Sequence, residues 1–195
     1  MSCTTAYQKY VALYDELTQL VNEANQRTVA EEPDLYIYNN INFFIKSFLV
    51  VACTYLEAYL KEVSELVIDK YEAQLLQYPI PHNLIKWGVD NNKDKQFKFE
   101  NFKLGISKKD VDDIISGNVY KTISLFAKLG IDISSDEKFS DNKDIVGTIV
   151  TKRNNIVHHN DDASDVSLPD IKSYIIQFKE YIEAIDDKIV TEVLT

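Results

Sequence analysis

With 31 acidic side chains against 21 lysines and arginines, this 195-residue chain carries a formal charge of −10. That charge excludes a uniformly basic nucleic-acid coat, although a net charge leaves room for a local basic cleft. An apolar fraction of 45% fits one globular domain, residues 1–195, and five glycines and four prolines are too few for a turn-rich β-sandwich.

The first element is an N-terminal helix within residues 1–32. Tyr7, Tyr10, Val11, Tyr14, Leu17, Leu20 and Val21 recur at helical spacing from about Thr4 to Arg27. Glu31-Glu32-Pro33-Asp34 ends it, since proline lacks a donor and restricts its neighbour. The opening MSCTTAYQKY has no basic stretch leading into an apolar run, which points to a cytoplasmic protein. Cys3 and Cys53 form no disulfide framework and suit a reducing compartment.

A long helix is expected from about Leu35 to Tyr78, with Ile41, Phe44, Ile45, Phe48, Leu49, Ala52, Leu56, Tyr59, Leu60, Val63 and Leu66 as its core stripe. Lys46 and Glu57 within its most apolar run favour a core helix over a membrane span. Pro79 and Pro81 stop it. The stretch 79–142 reads as an insertion between core helices. HNLIKWGVDNNK suits a short helix, QFKFENF a short strand or extended segment, SKKDVDDIISG a helix capped by Ser107 and closed by Gly117, and VYKTISLFAKLG a helix closed by Gly130. DISSDEKFSDN reads as a loop. Trp87 and the tyrosines read as core, with a base-stacking role for an exposed aromatic of the lysine-rich insertion as the alternative.

The next helix is expected to start near Ser140 or Asp141 and to run into KRNNIVHHNDD, residues 152–162. After it, Ser167 followed by Leu168-Pro169-Asp170 marks another start. Ile171, Ile175, Phe178, Ile182, Ile185 and Ile189 then form a heptad-like seam, fit for packing inside the bundle or across a dimer.

On a helical wheel Ile145, Val146, Ile149, Ile156 and Val157 define one apolar face, and Arg153 falls in the middle of it. A buried guanidinium needs a partner or a wet cleft, because an unpaired buried charge costs several kcal/mol. Asn154 sits at the edge of that face, and His158 lies one turn further on. Arg153 and His158 stand about 140° apart on an ideal helix. They act together if the helix frays at His158 or if two copies of the motif meet across a two-fold axis, which is the favoured arrangement. The bland alternatives are an Arg153 ion pair with Glu57 or another acid, and a His158 that serves the carbonyls at the helix end. His159 and the aspartates read as support. A metal site built from His158, His159, Asp161 and Asp162 is disfavoured, because adjacent side chains diverge.

Arg153, Asn154 and His158, at the end of the penultimate helix of a helix-rich chain, resemble the HEPN superfamily (higher eukaryotes and prokaryotes nucleotide-binding). That family's pattern is an arginine, four to six residues, then a histidine. Glu57 in FLVVACTYLEAYLKEV is similar to an acid often found in the family's early helix. The resemblance covers about Leu35 to the C-terminus. It implies an all-α HEPN-like bundle: a long early helix, an inserted segment, and two C-terminal helices flanking the R-x4-H motif. It further implies an endoribonuclease that needs no metal or cofactor. It would act as a homodimer on RNA, with Arg153, Asn154 and His158 as catalytic residues, in a toxin–antitoxin or phage-defence setting with an antitoxin or defence-system partner. The alternatives are a non-catalytic HEPN-like binding module and an acidic helical interaction domain. The chemistry suits the residues. An unperturbed imidazole titrates near 6.5 and can take or give a proton, while arginine stays charged and its fork matches phosphate oxygens.

Overall fold

A computed structural model describes residues 3–89, 97–159 and 162–194. Among them the regular elements are helices: α1 (Thr5–Val29), α2 (Leu35–Asn39), α3 (Ile41–Gln77), α4 (His82–Val89), α5 (Lys108–Asp112), α6 (Val119–Lys128), α7 (Glu137–His159) and α8 (Leu168–Ile189). A three-residue 3-10 turn at Ile133–Ser135 precedes α7, and a π turn at Val190–Leu194 follows α8.

Several of the helix starts have a local cause. The Thr4 hydroxyl accepts the Tyr7 N–H at 3.0 Å and caps α1, whose buried stripe is Ala6, Tyr10, Tyr14, Leu17, Val21 and Ala24. Asp34 caps α2 by accepting from the N–H groups of Tyr36 and Ile37. The helix expected from Leu35 to Tyr78 is broken at Asn40, whose backbone leaves the helical region, so α2 and α3 are separate. The Asn40 amide donates to the Tyr36 carbonyl at 2.8 Å, an interaction that competes with helix continuation.

The helices α1, α3, α7 and α8 pack together as the core of the bundle. By length and composition α3 could cross a membrane, yet Leu49, Ala52, Cys53, Leu56, Tyr59, Leu60, Val63 and Val67 on it are fully enclosed by protein. The heptad-like seam of α8 is spent in the same core: Ile171, Ile175, Phe178, Ile182, Ile185 and Ile189 are all buried. Large aromatics lock the layers. Tyr14 stacks on Phe178 at 6.0 Å, and Phe139 lies 4.8 Å from Tyr181. The phenol of Tyr14 donates to the Ala52 carbonyl at 2.9 Å and that of Tyr59 to the Ile182 carbonyl at 3.1 Å, so neither buried hydroxyl is wasted.

The stretch 79–142 is mixed. Residues 97–102 run antiparallel to residues 80–83 through a single bridge, Pro81 to Asn101, with Phe102 N–H donating to the Ile80 carbonyl at 2.7 Å. QFKFENF is therefore extended where it is described; Gln96 lies outside the described residues. The helix expected in SKKDVDDIISG is only α5, five residues closed at Asp113, with Ser107 and Asp110 forming a reciprocal cap at its start. Trp87, expected in the core, is exposed on α4, which has no buried residue.

α7 begins at Glu137, ahead of the expected Ser140, because Asp136 accepts the Phe139 N–H at 2.9 Å. DISSDEKFSDN is thus partly helical. Ser167 and Asp170 form a reciprocal cap on α8, with Pro169 in its first turn, as the sequence indicates.

Candidate functional site

α7 presents Val146, Ile149, Val150 and Ile156 to the core, with Arg153 on the same face. Ile145 and Val157, assigned to that face from the wheel, are half exposed instead. Ile145 lies toward the margin of the stripe, and Val157 lies in the last turn of α7.

Arg153 points at α3. Its Nη2 donates to Glu57 Oε1, and the two side chains are 15% and 33% exposed. The same carboxylate oxygen accepts the N–H of Gly117 at 3.2 Å, from the loop before α6. Gly117 permits that approach: a Cβ there would lie 3.1 and 3.2 Å from the Val150 methyls and 3.5 Å from the carboxylate. Cys53 stands one turn before Glu57 on α3, fully buried. Burial pushes its thiol up to about 12, with the Arg153 guanidinium pulling the other way. The Arg153 Nε is buried without a hydrogen-bond partner. The guanidinium is thus anchored through the edge that Nη2 shares with Nε, and that edge is enclosed by protein.

Asn154 is half-buried, and His158 and His159 are exposed. α7 remains helical through His159, so Asn154 and His158 occupy consecutive turns of one ridge. Arg153 and His158 keep their divergence of about 140°. Within one chain the structure brings Arg153 to Glu57, and it places His158 on the solvent side.

The segment after the motif is tied down. Lys46 of α3 pairs with Asp162 at 3.4 Å, and Lys152 pairs with Asp165; both lysine side chains are only 20% exposed. The Lys152 contact holds the Asp165 carboxyl below its usual range. Ala163 between these acids is buried with φ of 50°, a left-handed conformation that is costly for a side chain bearing Cβ. Asp161 lies outside the described residues. Among those described, no group of three His, Cys, Asp or Glu side chains is arranged to hold a metal ion. His82 belongs to the start of α4, its ring 6.0 Å from that of Phe102.

Sequence reasoning marked Arg153 and Glu57 but missed Gly117 and Cys53. The one-turn spacing of Cys53 and Glu57 on a long helix was the available signal for the cysteine. Gly117 gave none beyond its role as a helix stop.

A helical bundle with an arginine held inward near the end of its penultimate helix, and a histidine one turn beyond the adjoining asparagine, is an arrangement of the HEPN class. The family model described as RiboL-PSP-HEPN matches residues 8–191, and the chain belongs to that HEPN family. No curated protein and no solved structure matches the chain. Membership points to a nucleic-acid-related module.

Proposed function

We propose that the protein is an endoribonuclease that cleaves RNA by attack of a ribose 2′-hydroxyl on the adjacent phosphate, without a metal ion, and that it acts as a homodimer. The observation that carries this reading is the divided disposition of the motif on α7. Arg153 is fixed by Glu57 and only 15% exposed, while Asn154 and His158 form a ridge that ends in solvent. A single chain cannot converge these groups, and a two-fold axis beside the ridge would set two copies face to face.

In that arrangement His158 takes the proton of the 2′-hydroxyl as the O2′–P bond forms. His158 of the partner subunit gives a proton to the 5′-oxygen as the P–O5′ bond breaks. The products are a 2′,3′-cyclic phosphate and a 5′-hydroxyl. Arg153 neutralises charge building on the phosphate, and Asn154 orients the imidazole or the phosphate. Glu57 and Gly117 hold Arg153 in place. The toxin–antitoxin or phage-defence setting, the antitoxin or defence partner and the cytoplasmic location belong to the same proposal.

The Glu57 contact also favours a second reading, a non-catalytic HEPN module whose arginine is a structural ion pair. One experiment separates the two. Wild type and His158→Ala, matched for helicity and for oligomeric state by light scattering, are incubated with total RNA and a chelator. The ribonuclease reading expects a dimer and chelator-resistant cleavage that falls about 10²–10⁴-fold in the variant. No wild-type cleavage with or without added metal leaves the binding module. Relief by Arg153→Ala of growth arrest on bacterial expression tests the toxin setting, and harmless wild-type expression counts against it.

A further inference from the structure

A groove of about 770 Å3 runs along the outer side of α7, between the start of α6 and the segment after the motif. It contains neither Arg153 nor Glu57. Its floor includes Gly147, Thr148, Thr151 and Asn155, and Val119 and Ile123 of α6 form an apolar wall. We infer that this groove is a nucleobase pocket for the RNA strand, seating a base that neighbours the scissile phosphate. The inference rests on the ribonuclease reading for its substrate and deepens it.

Position is the first argument. On an ideal helix Thr151 and His158 are seven residues apart, so they differ by only about 20° in direction and about 10 Å along the axis. Gly147 lies in the same sector. The groove is therefore the continuation of the exposed His158 side of α7, and a strand presented to the imidazole passes along it.

Shape and chemistry are the second. A base has flat apolar faces and polar edges. Gly147 leaves the floor low: a Cβ there would come into van der Waals contact with Val119 at 3.6 Å, so a larger side chain would fill the space between α6 and α7. The Tyr120 ring at the rim is 82% exposed and offers a stacking surface. The Thr148 and Thr151 hydroxyls donate to the carbonyls of Asp144 and Gly147, which leaves their oxygens as acceptors, and Asn155 adds an amide at the exposed end. Two lysines, Lys143 and Lys152, are balanced by Asp144 and Asp165, so the groove is not a phosphate trap. The volume lies inside the roughly 300–1,000 Å3 typical of small-molecule sites.

The test uses the full chain and short labelled RNA homopolymers carrying 2′-O-methyl groups, which cannot supply the attacking hydroxyl. Fluorescence anisotropy ranks the four bases for wild type, Tyr120→Ala and Gly147→Leu, with helicity and thermal midpoint as folding controls. Tyr120 is surface-exposed, so its variant keeps the test valid if Gly147→Leu fails to fold. The pocket predicts a base preference in wild type. It predicts roughly tenfold weaker binding of the favoured homopolymer in each folded variant, the scale of one lost base stack, and a flattened ranking. Wild-type-like affinity and ranking in the folded variants overturn the pocket, as does absence of RNA binding by wild type. Competition by a free mononucleotide as strong as by the oligomer also overturns it, in favour of a small-ligand site. Base-ranked binding lost in the variants without wild-type cleavage keeps the pocket and sinks the ribonuclease. Cleavage with indifferent variants does the reverse.

Discussion

At the scale of single residues, the cluster around Arg153 is a set of mutually dependent contacts. Removing Glu57 leaves a guanidinium and the Gly117 N–H without their shared acceptor in a largely enclosed place. Glu57→Ala should therefore lower stability by about 1–3 kcal/mol in urea denaturation. Gly117→Ala must push Val150 aside and should cost a comparable amount. The raised thiol of Cys53 stays protonated at neutral pH, whereas Cys3 is exposed. Alkylation of native protein at pH 7.5 should thus add one label per chain, found on Cys3 by mass spectrometry, and a second label should appear only on denaturation. Arg153 and Glu57 were legible in the sequence because charge on an apolar stripe is anomalous whatever the fold. The Gly117 contact was not, because it depends on a loop reaching α3 across sixty residues of chain.

At the scale of elements, caps and breaks decide the boundaries. Ser167 and Asp170 were readable as a helix start because the spacing of the reciprocal cap is local. Asp136 was not singled out, because DISSDEKFSDN offers several competing acids and serines, and only the fold selects one. The break at Asn40 was marked only by the polar pair Asn39-Asn40 between two apolar runs, too short an interruption to separate a helix end from an exposed turn. Hydrogen bonds from Ser167 hold the Asp170 carboxyl below its usual range. A depressed folded pKa contributes stability above the unfolded value, near 3.9, and that contribution is lost as pH falls through the folded value. Asp170→Asn should accordingly lower the thermal midpoint at pH 7, with the difference from wild type shrinking below about pH 4. The left-handed Ala163 gives a near-neutral prediction. Ala163→Gly relieves about 1 kcal/mol of backbone strain but loses a buried methyl and gains chain entropy. Its measured stability should therefore stay within about 1 kcal/mol of wild type, unlike an ordinary buried-core truncation.

At the scale of the whole molecule, the all-helical class and the four principal helices were legible because 3.6-residue periodicity survives over long stretches. How the helices pair was not, since it arises from contacts between distant segments. The clearest of these is the clasp between Thr4 and the buried Asp186, 182 residues apart, in which the Thr4 N–H donates to Oδ2 at 3.0 Å and the Thr4 hydroxyl donates to Oδ1. The Tyr59 hydroxyl, whose proton goes mainly to the Ile182 carbonyl at 3.1 Å, also lies 3.4 Å from Oδ1. Burial raises the Asp186 carboxyl despite these donors. The sign opposes that of Asp170, so this group favours the folded state more as pH falls through its folded value. Asp186→Ala strands the Thr4 donors and should cost about 1–3 kcal/mol by chemical denaturation. The clasp also bears on synthesis. Of the eight helices α1 is made first, yet it receives its anchor and much of its packing surface from α8, the last of them to be made. A nascent chain stalled before residue 168 lacks that closure, and pulse proteolysis should find α1 cut readily until α8 emerges. For a protein proposed to attack RNA, this order of assembly keeps the bundle incomplete beside the ribosome, itself rich in RNA, until α8 has been made.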